Sequence, residues 1–203
     1  MIDEAVRHFQ RGAIVIFPTD TLYGVGCVID NELSIKRLYK IRKTPLSKPT
    51  LILATNPAQA FNYGDFNASA RKLVARFWPG PLTIIVKAKK AVPKMIQPKD
   101  GTIGIRVPNQ PTIRAIVERL GKPILAPSAN FHNKPAPTRY NEIDKKLIAL
   151  VDYAIDLSDL EDGRELSKEP STLIDMTKKN FKLVRSGVIS REDIHKALGG
   201  LRK

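Results

Sequence analysis

The residues of this chain that could do chemistry are hydroxyls, amides and arginines rather than acid–base pairs. Residues 123–138 read P-I-L-A-P-S-A-N-F-H-N-K-P-A-P-T, a short apolar strand that breaks into the small donors Ser128 and Asn130 inside a proline-punctuated loop. In α/β proteins ligands bind outside the carboxyl ends of strands, and the same residue types also form turns by bonding their own backbone. Thr21, Thr102, Arg106, Ser171 and Arg185 also stand beside predicted strands, and Arg42 leads a basic cluster with Lys40, Lys43 and Lys48. Singly, these read as turn formers, edge-strand arginines and solvated lysines. Together they are equipment for binding a triphosphate and a small zwitterion. Guanidinium groups match phosphate and carboxylate geometry, while hydroxyls and amides fix orientation.

Several other chemistries are excluded. There is no G-x-x-x-x-G-K-[ST] phosphate loop, and Gly24-Val25-Gly26 lacks the third glycine of a dinucleotide fingerprint. His8, His132 and His195 are scattered and share no metal spacing with Cys27, so no metal site is expected. Cys27, read as following a glycine turn into apolar Val28-Ile29, is expected to be a buried structural thiol rather than a nucleophile. The 34 lysines and arginines against 20 carboxylates give a formal charge of +14. That balance favours nucleotides or RNA as partners and also serves solubility. No apolar run is long enough to cross a bilayer, and Met1-Ile2-Asp3-Glu4 does not open a signal peptide. One cysteine excludes an internal disulfide and suits a reducing cytoplasm, the expected location.

The elements that must position these residues alternate along the chain. Helices are expected over 3–11 (Ala5, Val6 and Phe9 inward, Gly12 as stop), from a cap at Asp30 or Asn31 to Lys43 (Leu33, Leu38 and Ile41 inward), over 68–78 behind Asn67, and over 111–120 ending at Gly121. Two more are expected over 140–150 and from Ser190, in a capping box with Asp193, to Leu198. Strands are expected over 13–17, 50–54, 82–88, 102–107, 123–126, 153–157, 172–176 and 181–185, with 158–170 a loop. No linker or repeat divides the chain. The expectation is one α/β domain, residues 1–203, with a twisted mixed sheet flanked by helices.

Seven motifs in this order resemble the YrdC-like family of threonylcarbamoyl-AMP synthases across nearly the whole chain. They are P-T-D-T-L-Y-G-V-G at 18–26, the basic segment before Pro45, W-P-G-P-L-T at 78–83, T-I-G-I-R-V-P at 102–108, A-P-S-A-N at 126–130, P-S-T-L-I-D at 170–175 and V-R-S-G at 184–187. The resemblance implies the family's sheet with a basic concave face, in its short form without a C-terminal extension domain. It implies synthesis of threonylcarbamoyl-AMP and pyrophosphate from L-threonine, bicarbonate (or CO2) and ATP, for transfer to tRNA by a downstream transferase complex. Thr21, Arg106 and Ser171 would contact L-threonine. Thr102, Ala126 (through its backbone), Ser128, Asn130 and Arg185 would line the ATP site, with Arg42 on the phosphates. The catalytic group would be Arg42, Lys43, Ser128 and Asn130, and Mg²⁺ would be held mainly by ATP phosphates and water. The step needs no strong base, because a carbamate on the threonine amine is already an oxyanion. It needs in-line placement and charge neutralisation.

The basic segment departs from the family pattern of lysine-any-arginine before proline: here it is Arg42-Lys43-Thr44 before Pro45. The first cation is kept and the second is a threonine, so Lys43 or Lys48 would have to substitute. Two other readings stand beside the synthase: an RNA-binding module using the same basic face, directly on tRNA for example, and a paralogue adenylating a different carbamate. The low aromatic content, 6%, argues against base stacking.

Overall fold

A computed structural model describes residues 1–157, 167 and 169–199. In chain order its elements are α1 (Ile2–Gln10), β1 (Val15–Phe17), β2 (Gly24–Val28), α2 (Glu32–Ile41), β3 (Leu51–Leu53), α3 (Pro57–Tyr63), β4 (Gly64–Asp65), α4 (Ala68–Phe77) and β5 (Leu82–Ala88). There follow β6 (Thr102–Arg106), α5 (Pro111–Leu120), β7 (Ile124–Leu125), α6 (Lys145–Ile148), β8 (Tyr153–Ala154), β9 (Thr172–Asp175), β10 (Lys182–Arg185) and α7 (Arg191–Ala197). The strands form one mixed sheet in the order β10-β9-β5-β6-β3-β7-β2-β1-β8, with β4 pairing β5. β5–β9, β3–β6 and β1–β8 are parallel and the remaining pairs antiparallel.

Strand alternation divides the core. Ile14 and Ile16 join a cluster with Ile52, Ile84, Ile103, Ile105 and Leu125 under α2, α4, α6 and α7. Val15, Phe17, Leu53 and Ile124 face the other way, under α1 and α5. Among the described residues the α1–α5 pair covers the β1-β2-β7 end of its face and reaches Leu53 on β3. Over β3, β6, β5 and β9 that face is left to Leu51, Thr102, Gly104, Arg106, Ile85 and Leu173, which line a cavity.

Short polar caps start the helices. The Asn31 side chain accepts from Ser34 N–H (3.0 Å), settling which residue opens α2. Asn67 accepts from Ala70 N–H (2.8 Å) and donates to the carbonyl of Met176 (2.9 Å), so the cap also docks α4 on the end of β9. Ser190 accepts from Asp193 N–H (3.1 Å) at the start of α7.

Four expectations are corrected. Leu33 is 78% exposed, because with the cap at Asn31 the inward stripe of α2 runs through Ser34, Ile35, Leu38 and Ile41. Residues 140–150 do not form one helix: a 3-10 turn at Tyr140–Glu142 is separated from the four-residue α6 by the Asp144 cap. Gly24-Val25-Gly26 is the buried strand β2, not a turn. A Cβ on Gly26 would lie 1.8 Å from the carbonyl oxygen of Leu125 on β7, so the glycine answers close backbone approach. The segment 57–65, left without an element, holds α3 and β4; Asn56 caps α3 and Pro57 begins it. The expected loop over 158–170 falls, for 158–166 and 168, outside the described residues.

Candidate active site

At the end of α2 the chain reverses sharply. Lys43 adopts φ 52°, and Thr44 N–H returns to the carbonyl of Tyr39 (2.9 Å). The turn leaves Arg42 aimed at the loop after β7. Its Nε donates to the carbonyls of Ser128 and Asn130 (3.1 Å each), and one terminal nitrogen donates to Asn130 Oδ1 (3.2 Å). Ser128 Oγ donates to the same Oδ1 (2.6 Å), and the Asn130 amide nitrogen donates to the carbonyl of Lys134. His132 N–H closes the loop onto the carbonyl of Arg42 (2.9 Å). One guanidinium thus organises the A-P-S-A-N stretch through neutral acceptors. Burial pushes Arg42 down to about 10, so it remains a cation at neutral pH.

A second cluster forms where β6 and β10 end and β9 begins, beside the turn after β1. Arg106, 4% exposed, donates from Nε to the carbonyl of Gly80 (3.0 Å), from one terminal nitrogen to Thr21 Oγ1 (2.8 Å) and from the other to Asp20 Oδ1 (2.5 Å). Burial pushes its guanidinium below the ordinary value; Asp20 opposes that shift and neighbouring Arg185 adds to it. The Ser171 hydroxyl sits 2.8 Å from Thr83 Oγ1 and accepts from Arg185 (3.1 Å), which also donates twice to the Ser171 carbonyl (2.8 and 3.2 Å). Gly187 permits this grip: a Cβ there would lie 2.1 Å from the carbonyl oxygen of Pro170. Burial lowers Arg185 as well.

The cavity between the clusters measures about 610 Å³, within the range of small-molecule sites. Of the residues singled out from the sequence, Thr21, Arg42, Thr102, Arg106, Ala126, Ser128, Asn130, Ser171 and Arg185 all line it. Arg106 is not an edge-strand arginine, since β6 runs between β3 and β5. The Ala126 N–H is occupied by the carbonyl of Leu51 (3.0 Å), and the Thr102 hydroxyl by Asp100 (2.7 Å). Lys43 is the exception. It is exposed, outside the lining, with its ammonium 5.3 Å from the Phe131 ring, because the turn sends residue 43 outward and Thr44 inward. Thr44 and Lys48 line the cavity instead, and Lys48 Nζ lies 3.1 Å from His132 Nδ1. Sequence reasoning missed Asp20, Thr83 and Lys134. The first two sit inside quoted motifs, but their partners are 86 and 88 residues away, and only the fold reveals them.

Arg42, Lys48, Arg106, Lys134 and Arg185 line this site, and no carboxylate stands among its described lining residues. With hydroxyls and amides at the strand ends, that defines an α/β protein built to hold small polyanionic ligands on an open sheet face. The chain belongs to the Sua5/YciO/YrdC family, whose model, described as "Telomere recombination", matches residues 7–187. It is 38% identical over 183 residues to a Methanocaldococcus jannaschii protein provisionally named a threonylcarbamoyl-AMP synthase, covering 90% of this chain and 84% of that one. The structure of Pyrococcus abyssi Sua5 complexed with L-threonine superposes with a TM-score of 0.89 at 30% identity, covering 99% of this chain and 57% of Sua5. The structure of Escherichia coli YciO, a protein whose name carries no activity, superposes at 0.84 with 30% identity, covering 95% and 92%. This chain therefore spans little more than half the length of the Pyrococcus protein. Among the described residues no helix is long and apolar enough to cross a membrane.

Proposed function

We propose that this protein is an L-threonylcarbamoyladenylate synthase, a nucleotidyltransferase that makes threonylcarbamoyl-AMP and pyrophosphate from L-threonine, bicarbonate and ATP. The observation that carries the reading is two arginines that line the cavity, the half-buried Arg42 and the more exposed Arg185, whose hydrogen-bond partners among the described residues are neutral oxygens only. A cation held partly out of water without a counter-charge favours an anionic ligand beside it. Triphosphate oxygens would supply that charge from within the cavity that both line.

The amine of threonine condenses with bicarbonate to give a carbamate and water. A carbamate oxygen then attacks the α-phosphorus, forming a P–O bond as pyrophosphate leaves with the electron pair of the broken bond. Arg106 and Thr21 would orient the amino acid, and Ser171 would bridge it to the nucleotide end. Ser128, Asn130, Thr102 and Arg185 would hold the nucleotide, and Arg42 would neutralise charge on the phosphates; this is orientation plus electrostatic stabilisation. No group of three or more His, Cys, Asp or Glu side chains fit to hold a metal exists among the described residues. Among the described lining residues no carboxylate is present to hold a resident Mg²⁺, which would enter on the ATP phosphates. Delivery of the product to a tRNA-modifying transferase completes the reading.

A second reading, a paralogue that adenylates a different carbamate, is favoured by Thr44 in place of the family's second cation and by the similarity to YciO. Pyrophosphate release from ATP and bicarbonate, with mass detection of the adenylate, separates the two. Stimulation by L-threonine above other amino acids, with threonylcarbamoyl-AMP as product, is expected. Product formed with another amine and not with threonine would establish the paralogue. Salt-sensitive RNA binding with no adenylate from any amine would sink both.

A further inference from the structure

We infer that Asp20 is a positioning and specificity residue that offsets the charge of Arg106, so that this arginine takes a zwitterionic α-amino acid in preference to the same carboxylate lacking its amine. The inference rests on the reading of Arg106 as the amino-acid end. Of the three arginines that line the cavity, Arg106 alone has a carboxylate ion pair among the described residues. The pair is buried, with side chains 5% and 15% exposed and the charged atoms 2.5 Å apart. In such a medium charges are weakly screened and act at 1/r. A ligand group a few ångströms away therefore meets Asp20 and Arg106 as a dipole rather than a full positive charge. Arg42 and Arg185 keep their charge, because the oxygens they bond are carbonyls, an amide and hydroxyls.

The arginines of the cavity wall thus differ in kind. Arg42 and Arg185 present unpaired cations suited to a polyanion, and Arg106, which neighbours Arg185, presents a paired one. A zwitterion carries no net charge and a large dipole, which suits the paired arginine. A 2-hydroxy acid carries −1 and gains from a bare cation. Asp20 also fixes the guanidinium. With the Gly80 carbonyl and Thr21 Oγ1 it occupies three of the N–H groups from two separate stretches of chain, leaving one on each terminal nitrogen. Those two form the fork that binds a carboxylate. Asp20 does not itself line the cavity, so it acts through Arg106.

The test is calorimetric titration of the full chain with L-threonine and with its 2-hydroxy analogue, in which a hydroxyl replaces the ammonium. The wild type is expected to bind threonine about tenfold or more tightly than the analogue. Asp20→Asn should narrow that ratio at least about fivefold, threonine weakening while the analogue holds or tightens, and Asp20→Glu should restore it. A purely structural role would weaken both ligands equally, and an unchanged ratio in Asp20→Asn overturns the inference while leaving the synthase reading in place. A wild-type ratio near one overturns it without any variant, which keeps the test decisive even if Asp20→Asn loses its fold by circular dichroism. Failure of the wild type to bind L-threonine at all overturns the synthase reading together with the inference.

Discussion

Arg42, Thr44 and Arg106 carry the sharpest residue-scale predictions. Arg42 makes charge-assisted bonds to the loop that holds Ser128 and Asn130. Hydrogen bonds to charged groups are each worth about 1.5–3 kcal/mol, so Arg42→Ala should weaken ATP binding by about 10- to 100-fold. Because burial lowers Arg42 only to about 10, ATP affinity should be flat with pH across the neutral range and fall as pH rises through about 10, where the guanidinium loses its proton; titration of ATP binding against pH checks both sign and position. Thr44 points into the cavity where the family pattern carries a cation, so Thr44→Arg should raise the rate of threonine-dependent pyrophosphate release. A lower rate would mean that Lys48 and Lys134 already supply the charge. Arg106→Ala should impair threonine dependence more than nucleotide binding, and equal loss of both would contradict its assignment. The types of these residues were legible in the chain. Their partners were not, because Asp20–Arg106 and Thr83–Ser171 join residues whose separation carries no periodic signal.

The elements explain why the residues arrive together. β2 threads between β1 and β7 so closely that a Cβ on Gly26 meets backbone. A carbonyl cannot rotate away, so Gly26→Ala should cost about 3 kcal/mol and lower the melting temperature by roughly 10 °C. Gly24→Ala should cost less, because its neighbour is the ring of Phe17, which can shift. Thermal melting of the two variants checks the contrast. The turn at Lys43 shows what an element decides that spacing cannot. In the sequence Arg42 and Lys43 read as phosphate-directed cations and Thr44 as the place where the second cation is lost. One residue with positive φ points the first and third inward and the second out. The helix stripes of α1 and α5 were plain from period and caps, whereas α3 and β4 are too short for a periodic signal and were passed over.

For the whole molecule, the charge of +14 is a field rather than a fold determinant. Steering predicts that the ATP association rate falls about tenfold when salt rises from about 20 to about 300 mM, readable by stopped-flow with a fluorescent analogue. By itself the sequence determined the class of fold, the ordered motifs and a set of candidate residues of which all but Lys43 line the cavity. The fold class follows from local patterns: period-two and helical hydrophobicity, caps, and glycine and proline punctuation. Only the tertiary structure decided that, among the described residues, no helix covers one half of one sheet face, that Lys43 leaves the cavity while Thr44 enters it, and that Arg106 carries a carboxylate while Arg42 and Arg185 do not. Those outcomes depend on which distant strands become neighbours, and burial and charge pairing exist only once the chain has closed on itself.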